Sequence, residues 1–256
     1  MADLFKSPKS MLGRAKRHLS DLEAQVSAFS HEKPWAMVVE DDADGVRKVL
    51  KVKFTERLSD DLPHIVFDCV NNLRSALDQA AHAIGRKHTG TLTPKSAKFP
   101  FGPTEADMLN NLRGGCKDLP TEIRDLFAAF KPYKGGNNAL WAMNELCNAP
   151  KHRTLFPVVV GGQSWGLTDG IVTGGIELRG PTWNSEENEI ILARYGPQTI
   201  FHGNIKAQVA FAVALDDVDE AIRGQEPVKV IRAMTGEVER VLVASERECR
   251  RIDLIK

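Results

Sequence analysis

The amino-acid sequence predicts an α+β fold in which a helical bundle from the N-terminal half packs with an antiparallel β-sheet from the C-terminal half and with a C-terminal helix. Up to about residue 150, apolar residues recur at steps of three and four, the spacing of a helix face. From residue 156 onward the period is two, with Gly-rich and Asn-rich turns between the runs, which is typical of antiparallel strands. We therefore expect a single α+β domain over residues 1–256, with a helical part of about 1–155 that contains a β-hairpin at 35–54 and a sheet part of about 156–256, which the hairpin can join.

Composition and charge are those of an ordinary globular protein. Of the 256 residues, 42% are hydrophobic and 27% are charged, and 34 Lys and Arg balance 34 Asp and Glu. Because no net charge attracts a polyanion, such a partner must be bound by a local patch. The four cysteines form no C-x-x-C pair, and no apolar segment has the length of a signal sequence or a membrane span. We expect a cytoplasmic protein with no membrane partner.

The N-terminal part predicts a helix and a hairpin. An apolar seam over residues 8–29 indicates a helix whose other face is basic in its first half. Two β-rich runs within residues 35–54 flank a turn at 42–45 that ends in glycine, which predicts a β-hairpin. In its second strand apolar residues alternate with lysines, so we expect only one face of the hairpin to be covered.

The helix predicted over residues 64–84 carries two stripes of side chains. Residues 59–61 with Pro63 indicate where the helix begins, and Gly85 predicts its end. The spacing places the residues of each stripe on one face of the helix. The apolar stripe consists of Val66, Val70, Leu73, Leu77, Ala80 and Ile84. The polar stripe consists of Asn71, Arg74, Asp78 and His82.

Shorter helices and several strands are predicted in the rest of the chain. Pro150 ends the third of these helices, because proline lacks the N–H group that a continuing helix needs. A final helix begins near Pro227 and has its own apolar seam. The three shorter helices cover residues 104–112, 120–130 and 138–148. The strand candidates, which suggest an antiparallel meander, are 156–160, 165–168, 171–178, 189–195 and 204–215.

Motifs for several familiar chemistries are missing from the sequence. It has no phosphate-binding glycine loop, no dinucleotide fingerprint, no H-E-x-x-H and no G-x-S-x-G, so we expect no cofactor. His82, Asp78 and His152 are the residues that a metal site would use. They come from distant segments without the local spacing of metal ligands, and we therefore predict no metal site.

Two segments resemble a pair of motifs in a broad group of uncharacterised bacterial proteins. Residues 71–79 resemble the form N-L-R-S-A-L-D-H, with Gln79 at the position of its His, and residues 146–153 contain N-x-x-K-H-R. In that group an aromatic-rich helix precedes the second motif, and Leu140-Trp141 fits this pattern. The resemblance covers about residues 64–156 and implies no established activity.

More remotely, the second motif is similar to the R-N-x-x-x-H signature of HEPN domains. Asn148 and His152 match the Asn and His of that signature, while Cys147 stands at the position of its arginine. The resemblance implies a helical module of toxin or defence type that binds RNA or cleaves it without a metal.

Cleavage of RNA without a metal requires proton transfer and a cation beside the phosphorane. Histidine can transfer protons near neutral pH, and arginine can hold the phosphorane charge through two hydrogen bonds. The resemblance therefore implies His152, Arg74 and Asp78 as catalytic residues, with Arg74 in place of the missing arginine and Asp78 orienting His82 or His152. The substrate-binding residues that it implies are Asn148, Lys151, Arg153, Asn71 and His82.

A structural interpretation of the same residues stays open. Arg74 and Asp78 are spaced as an i,i+4 ion pair, and Asn71, Asn148 and His152 can satisfy backbone groups at a broken helix end. The matching alternative function is a non-catalytic protein-interaction module, including a homodimer. Neutral charge and only 7% aromatic residues favour it over extensive RNA stacking. Geometry discriminates, since a site requires Arg74, Asp78 and His152 to converge on a solvent-open concavity.

Overall fold

The computed structural model has an α+β fold with six helices and nine strands in the part of the chain that it describes. That part comprises residues 3–32, 34–57, 59, 61–148, 157–161, 171–177, 182–184, 186–202, 211–215 and 225–256. The helices are α1 (Lys6–Glu32), α2 (Leu62–Thr89), α3 (Glu105–Gly115), α4 (Thr121–Ala129), α5 (Asn138–Asn148) and α6 (Pro227–Arg251). The strands are β1 (Trp35–Asp41), β2 (Lys48–Phe54), β3 (Pro157–Gly161), β4 (Ile171–Thr173), β5 (Ile176–Glu177), β6 (Thr182–Asn184), β7 (Glu189–Tyr195), β8 (Ile200–His202) and β9 (Phe211–Leu215). The predicted α+β class is confirmed.

The chain forms two compact units. The helical unit comprises Met1–Glu23, Asp61–Leu155 and Asp217–Lys256. The sheet unit comprises Ala24–Asp60 and Phe156–Asp216. Two compact units can belong to one domain or can be two separate domains, so the single domain stays a prediction. No helix among the described residues is long and apolar enough to cross a membrane.

The core of the helical unit is built on α2. This helix packs against α5 and α6, and α4 and α5 also pack against α6. All six residues of the predicted apolar stripe of α2 are buried, which confirms that stripe. The facing side chains are large and fully buried, as the hydrophobic effect requires of a stable interface between helices. They include Leu140 and Met143 of α5 and Ile231, Met234 and Val238 of α6.

Helices α1 and α6 run antiparallel and are joined by three ion pairs spaced by seven residues on each helix. Seven residues are close to two helical turns, so the three pairs lie along one edge of the contact. Each N–O distance is 2.7 Å. The pairs are Lys9–Glu246, Lys16–Glu239 and Glu23–Arg232.

Helix α2 runs to Thr89 and is capped by Gly90, whereas the sequence predicted that it stops at Gly85. Gly90 has a φ of 71°, a left-handed conformation, and its N–H donates to the carbonyl of Arg86 at 3.1 Å. Gly85 lies inside the helix and is buried, and a Cβ atom at this position would lie 2.6 Å from Cβ of Ala97. The prediction was wrong because Gly85 is needed for close packing, whereas the left-handed cap is Gly90.

The largest sheet has the order β1-β2-β7-β5, and β6 also pairs with β7. The hairpin predicted within 35–54 is confirmed, with β1 and β2 antiparallel from Trp35–Phe54 to Asp41–Lys48. Strand β2 is antiparallel to β7, with a register shift between Leu50 and Lys51 that indicates a β-bulge. The buried core of this sheet consists of Leu50, Val52, Phe54, Ile190, Leu192, Ala193 and Tyr195, with Phe29, Trp35 and Met37 packed against it.

The predicted division into a helical first half and a sheet-forming second half is wrong. Two of the three seven-residue strands in the largest sheet, β1 and β2, come from the N-terminal part. The predicted meander is also incomplete, because β3 pairs with β9 and β4 with β8, not with their neighbours in sequence. An alternating pattern identifies a strand but does not identify its partner. The predicted strand at 165–168 and residues 204–210 of another lie outside the described residues.

Candidate functional site

The candidate site is a cluster of side chains where α2, α5 and an extended segment meet. We call it the Arg74 cluster; its members are Arg74 and Asp78 of α2, Asn144 of α5, and Phe99 and Phe101. Helices α2 and α5 pack directly against each other, as the hypothesis of a shared site requires. The predicted i,i+4 spacing places Arg74 and Asp78 one turn apart on one face of α2.

Arg74 is held on three sides. Its Nε donates to Oδ2 of Asp78 at 3.0 Å, and its Nη1 donates to Oδ1 of Asn144. Its Cζ lies 4.1 Å from the centroid of the Phe101 ring, a cation–π contact. The guanidinium is therefore fixed in one orientation, and its side chain remains 23% exposed.

The Asp78 carboxylate joins α2 to the extended segment. One of its oxygens accepts from Arg74, and the other accepts from the backbone N–H of Phe99 at 3.3 Å. The Asp78 side chain is 40% exposed, so the ion pair is only partly shielded from water. These contacts confirm the predicted Arg74–Asp78 ion pair.

Asn144 is the polar residue of the cluster that the sequence analysis missed, together with the two phenylalanines. Its side chain is buried, with 7% exposure, although α5 is otherwise apolar on its buried face. Its Nδ2 donates to Oε1 of Glu145 at 3.3 Å while its Oδ1 accepts from Arg74. One signal was available, because Asn144 lies four residues before Asn148 and therefore on the same face of the helix.

Cys147 occupies the position of the arginine in the HEPN signature and is a neutral thiol. Burial raises its pKa to about 11, and the positive charge of Arg74 offsets only part of that effect. Its Sγ lies 3.6 Å from the carbonyl oxygen of Val70 on α2. Val70 lies one turn before Arg74 on α2, so the Cys147 thiol lies about one helical turn from Arg74.

The other predicted site residues do not all join the cluster. Asn71 is half-buried on α2, one turn before Arg74, and Asn148 is the exposed last residue of α5. His82 is exposed, and among the described residues Asp78 contacts Arg74 and Phe99 and not His82. Three predicted site residues lie outside the described residues, namely Lys151, His152 and Arg153.

The described part of the chain contains no group of three or more His, Cys, Asp or Glu side chains that could hold a metal ion. The Arg74 cluster is instead a network of charged and amide groups. It holds two helices and one extended segment together within one turn of the end of α5. No family model, curated protein or solved structure matches the chain.

Proposed function

We propose that the chain binds RNA through residues 148–153 and that the Arg74 cluster positions this segment. The observation that carries the proposal is the hydrogen bond between Arg74 and Asn144, one turn before the exposed end of α5. This bond fixes the end of the helix from which the next residues continue. The proposal stands on that geometry together with the resemblance of the two motifs.

The position of the cations along the chain supports it. Lys151 and Arg153 follow Asn148, the last residue of α5, by three and five residues in the sequence. Lys151 and Arg153 supply positive charge for phosphates, and Arg153 can bind one through two parallel N–H bonds. Phosphate contacts of this kind give affinity without reading the sequence of the RNA.

The contacts favour binding over cleavage. Arg74 uses two of its five N–H donors within the cluster, and the charge of Asp78 reduces its attraction for a phosphorane. His152 is the group that would transfer protons in a metal-independent ribonuclease of toxin or defence type. RNA cleavage is an additional claim beyond RNA binding, and it requires His152.

The experiment measures binding and degradation of RNA in EDTA by the wild type, His152→Ala and the double variant Lys151→Gln/Arg153→Gln. We expect the double variant to bind roughly tenfold or more weakly near 0.1 M salt, since each lost phosphate contact removes a released counterion. The control is Arg14→Gln/Arg17→Gln, which changes the charge equally on the exposed face of α1.

Each outcome bears on one part of the proposal. No binding by the wild type, or equal weakening by the control, would contradict RNA binding through residues 148–153. Degradation by the wild type but not by His152→Ala would support the catalytic form. Equal degradation by both, or none by either, would remove it and leave binding alone.

A second candidate is a non-catalytic protein-interaction module that forms a homodimer. One observation favours it. Strand β1 is at the end of the largest sheet and, within the described part of the chain, pairs only with β2. An open strand edge offers backbone donors and acceptors to another chain.

A further inference from the structure

We propose that the C-terminal end of α2 forms a second RNA contact together with residues 96–98 and 115–118, which pack on it. This contact binds the phosphate backbone of a single RNA strand. This inference rests on the proposed function and extends it to a different surface of the helical unit. We call it the basic surface. It consists of Arg86, Lys87, Lys95, Lys98, Arg113 and Lys117.

Backbone packing brings these residues together. At Gly85 a Cβ atom would lie 2.6 Å from Cβ of Ala97 and 3.4 Å from the carbonyl oxygen of Asp118. The two segments also bond to each other. The N–H of Lys98 donates to the carbonyl of Gly115 at 3.1 Å, and that of Asp118 donates to the carbonyl of Ser96 at 3.0 Å. Residues 96–98 and 115–118 therefore lie side by side against the end of α2.

The charged residues on this surface are almost all positive. Residues 85–98 and 113–118 contain six Lys and Arg against one acidic residue, Asp118, in a chain whose total charges balance. All six cations are exposed. The Asp118 carboxylate accepts from the backbone N–H of Ser96 at 2.9 Å. The basic surface therefore keeps nearly its full positive charge.

Several cations elsewhere in the described part of the protein pair with nearby carboxylates. On the α1–α6 contact, Lys9, Lys16 and Arg232 each pair with a glutamate. In the hairpin, Lys48 pairs with Asp41 at 2.5 Å. By contrast, none of the six cations of the basic surface makes an ion pair within the described residues. Six cations close together without counter-charges raise the local concentration of polyanions.

The position relative to the Arg74 cluster indicates a nucleic-acid strand as the occupant. The segment from Ala97 to Phe101 runs from the basic surface at Gly85, past Asp78, to the face of Arg74. The end of α5 lies beside Val70, where Sγ of Cys147 is 3.6 Å from the Val70 carbonyl oxygen. On α2, Arg86 lies sixteen residues after Val70, about 24 Å at 1.5 Å per residue. A strand of roughly seven nucleotides covers that distance at about 3.4 Å each, so one RNA can reach both the end of α5 and the basic surface.

The recognition expected here is electrostatic. The nearby aromatic rings, Phe99 and Phe101, are buried in the core and are not available for base stacking. Affinity must then come from phosphate contacts, which make binding independent of sequence and strongly dependent on salt.

The test is a salt titration of binding to a fluorescent twenty-nucleotide oligouridine, with the full chain in EDTA. The variant is Lys95→Gln/Lys98→Gln/Lys117→Gln, and the matched control is Arg14→Gln/Arg17→Gln/Arg247→Gln, which removes three exposed charges from α1 and α6. For three lost phosphate contacts, the slope of log K against log salt should become shallower by about 2, at about 0.7 per contact on a single strand. The control should keep the wild-type slope, and thermal unfolding checks that both variants fold.

The outcomes separate this inference from the proposed function. An unchanged slope in the triple variant, alongside weakened binding by Lys151→Gln/Arg153→Gln, overturns the basic surface alone. Absence of RNA binding by the wild type at low salt overturns both proposals. A second arm uses vesicles that contain phosphatidylserine; loss of vesicle binding in the triple variant with an unchanged RNA slope assigns the surface to membranes and overturns the inference.

Discussion

Asn144 is the residue through which α5 is bonded to the charged pair on α2. Its buried Oδ1 accepts from Arg74, and no other side chain of α5 has a hydrogen bond to Arg74 among the described residues. A buried donor that carries charge and loses its acceptor is more costly than the same group in water. The strength of the Arg74 cluster therefore depends on this amide.

We expect Asn144→Ala to lower the free energy of unfolding by about 1–3 kcal/mol, because Nη1 of Arg74 loses its acceptor in a partly desolvated place. Asn148→Ala is the matched control, since the same substitution one turn later falls on an exposed side chain. The control should change the free energy by less than about 0.5 kcal/mol. Urea unfolding measures both, and equal effects would contradict the assigned role of Asn144.

The sequence predicts side-chain contacts between residues of one helix, but it does not predict contacts between residues of different elements. The Arg74–Asp78 pair follows from a spacing of four residues, and it is present. Asn144 and Phe101 contact Arg74 from positions 70 and 27 residues away, and no spacing rule relates such residues. Their contacts depend on how α2, α5 and the extended segment pack.

Helix α2 is the element that organises the helical unit, and at Gly85 the segment that contains Ala97 packs closely against it. Inside a helix, alanine is normally preferred over glycine by about 1 kcal/mol. Here the added methyl group would meet Cβ of Ala97 at 2.6 Å, which requires the segment to move. Packing and helix propensity therefore act in opposite directions at this residue.

We expect packing to prevail, so that Gly85→Ala destabilises the protein by about 1–3 kcal/mol. Gly236→Ala on α6 is the matched control, because a Cβ atom there has nothing within 4 Å. That control should stabilise by about 0.5–1 kcal/mol through helix propensity alone. Chemical denaturation measures the stability of both variants. A stabilised Gly85→Ala variant would show that the segment containing Ala97 can move without destabilising the protein, which would contradict the prediction.

Element positions were more predictable than their ends. The helix predicted over 138–148 matches α5, and the predicted start at Thr104 is confirmed by its hydroxyl, which accepts from the N–H of Asp107 at 3.2 Å. The end of α2 was misplaced because the sequence shows a glycine but not its φ angle. Gly85 and Gly90 are both possible ends by composition, and only the backbone conformation tells them apart.

On the scale of the whole molecule, the open edge of β1 makes a specific prediction about assembly. If the second candidate function holds, chains of 28.3 kDa pair through this edge, and a new charge on it should prevent pairing. We expect sedimentation velocity to show a dimer for the wild type and a monomer for Val39→Lys. Val46→Lys is the matched control, since Val46 is an exposed valine in the turn of the same hairpin. A monomeric wild type would contradict the dimer.

The fold class was predictable from period and composition, whereas the sheet topology was not. Strands β2 and β7 pair although about 140 residues separate Leu50 from Ala193. Several other runs of the chain are equally rich in β-forming residues, so many pairings satisfy the sequence equally well. The pairing is decided by which buried faces complement each other around Leu50, Val52 and Ile190.

The ion pairs between α1 and α6 also distinguish one alignment of the chain ends from its neighbours. Along α1 the charges are Lys9, Lys16 and Glu23, and α6 presents the opposite sign at each step. Displacement of one helix by seven residues would place Lys16 opposite Arg232, or Glu23 opposite Glu239. Exposed pairs contribute only about 0–1 kcal/mol each to stability. The third pair, Glu23–Arg232, has its charges reversed relative to the first two. This reversal therefore contributes more to selecting the alignment of the first and last helices than to stability.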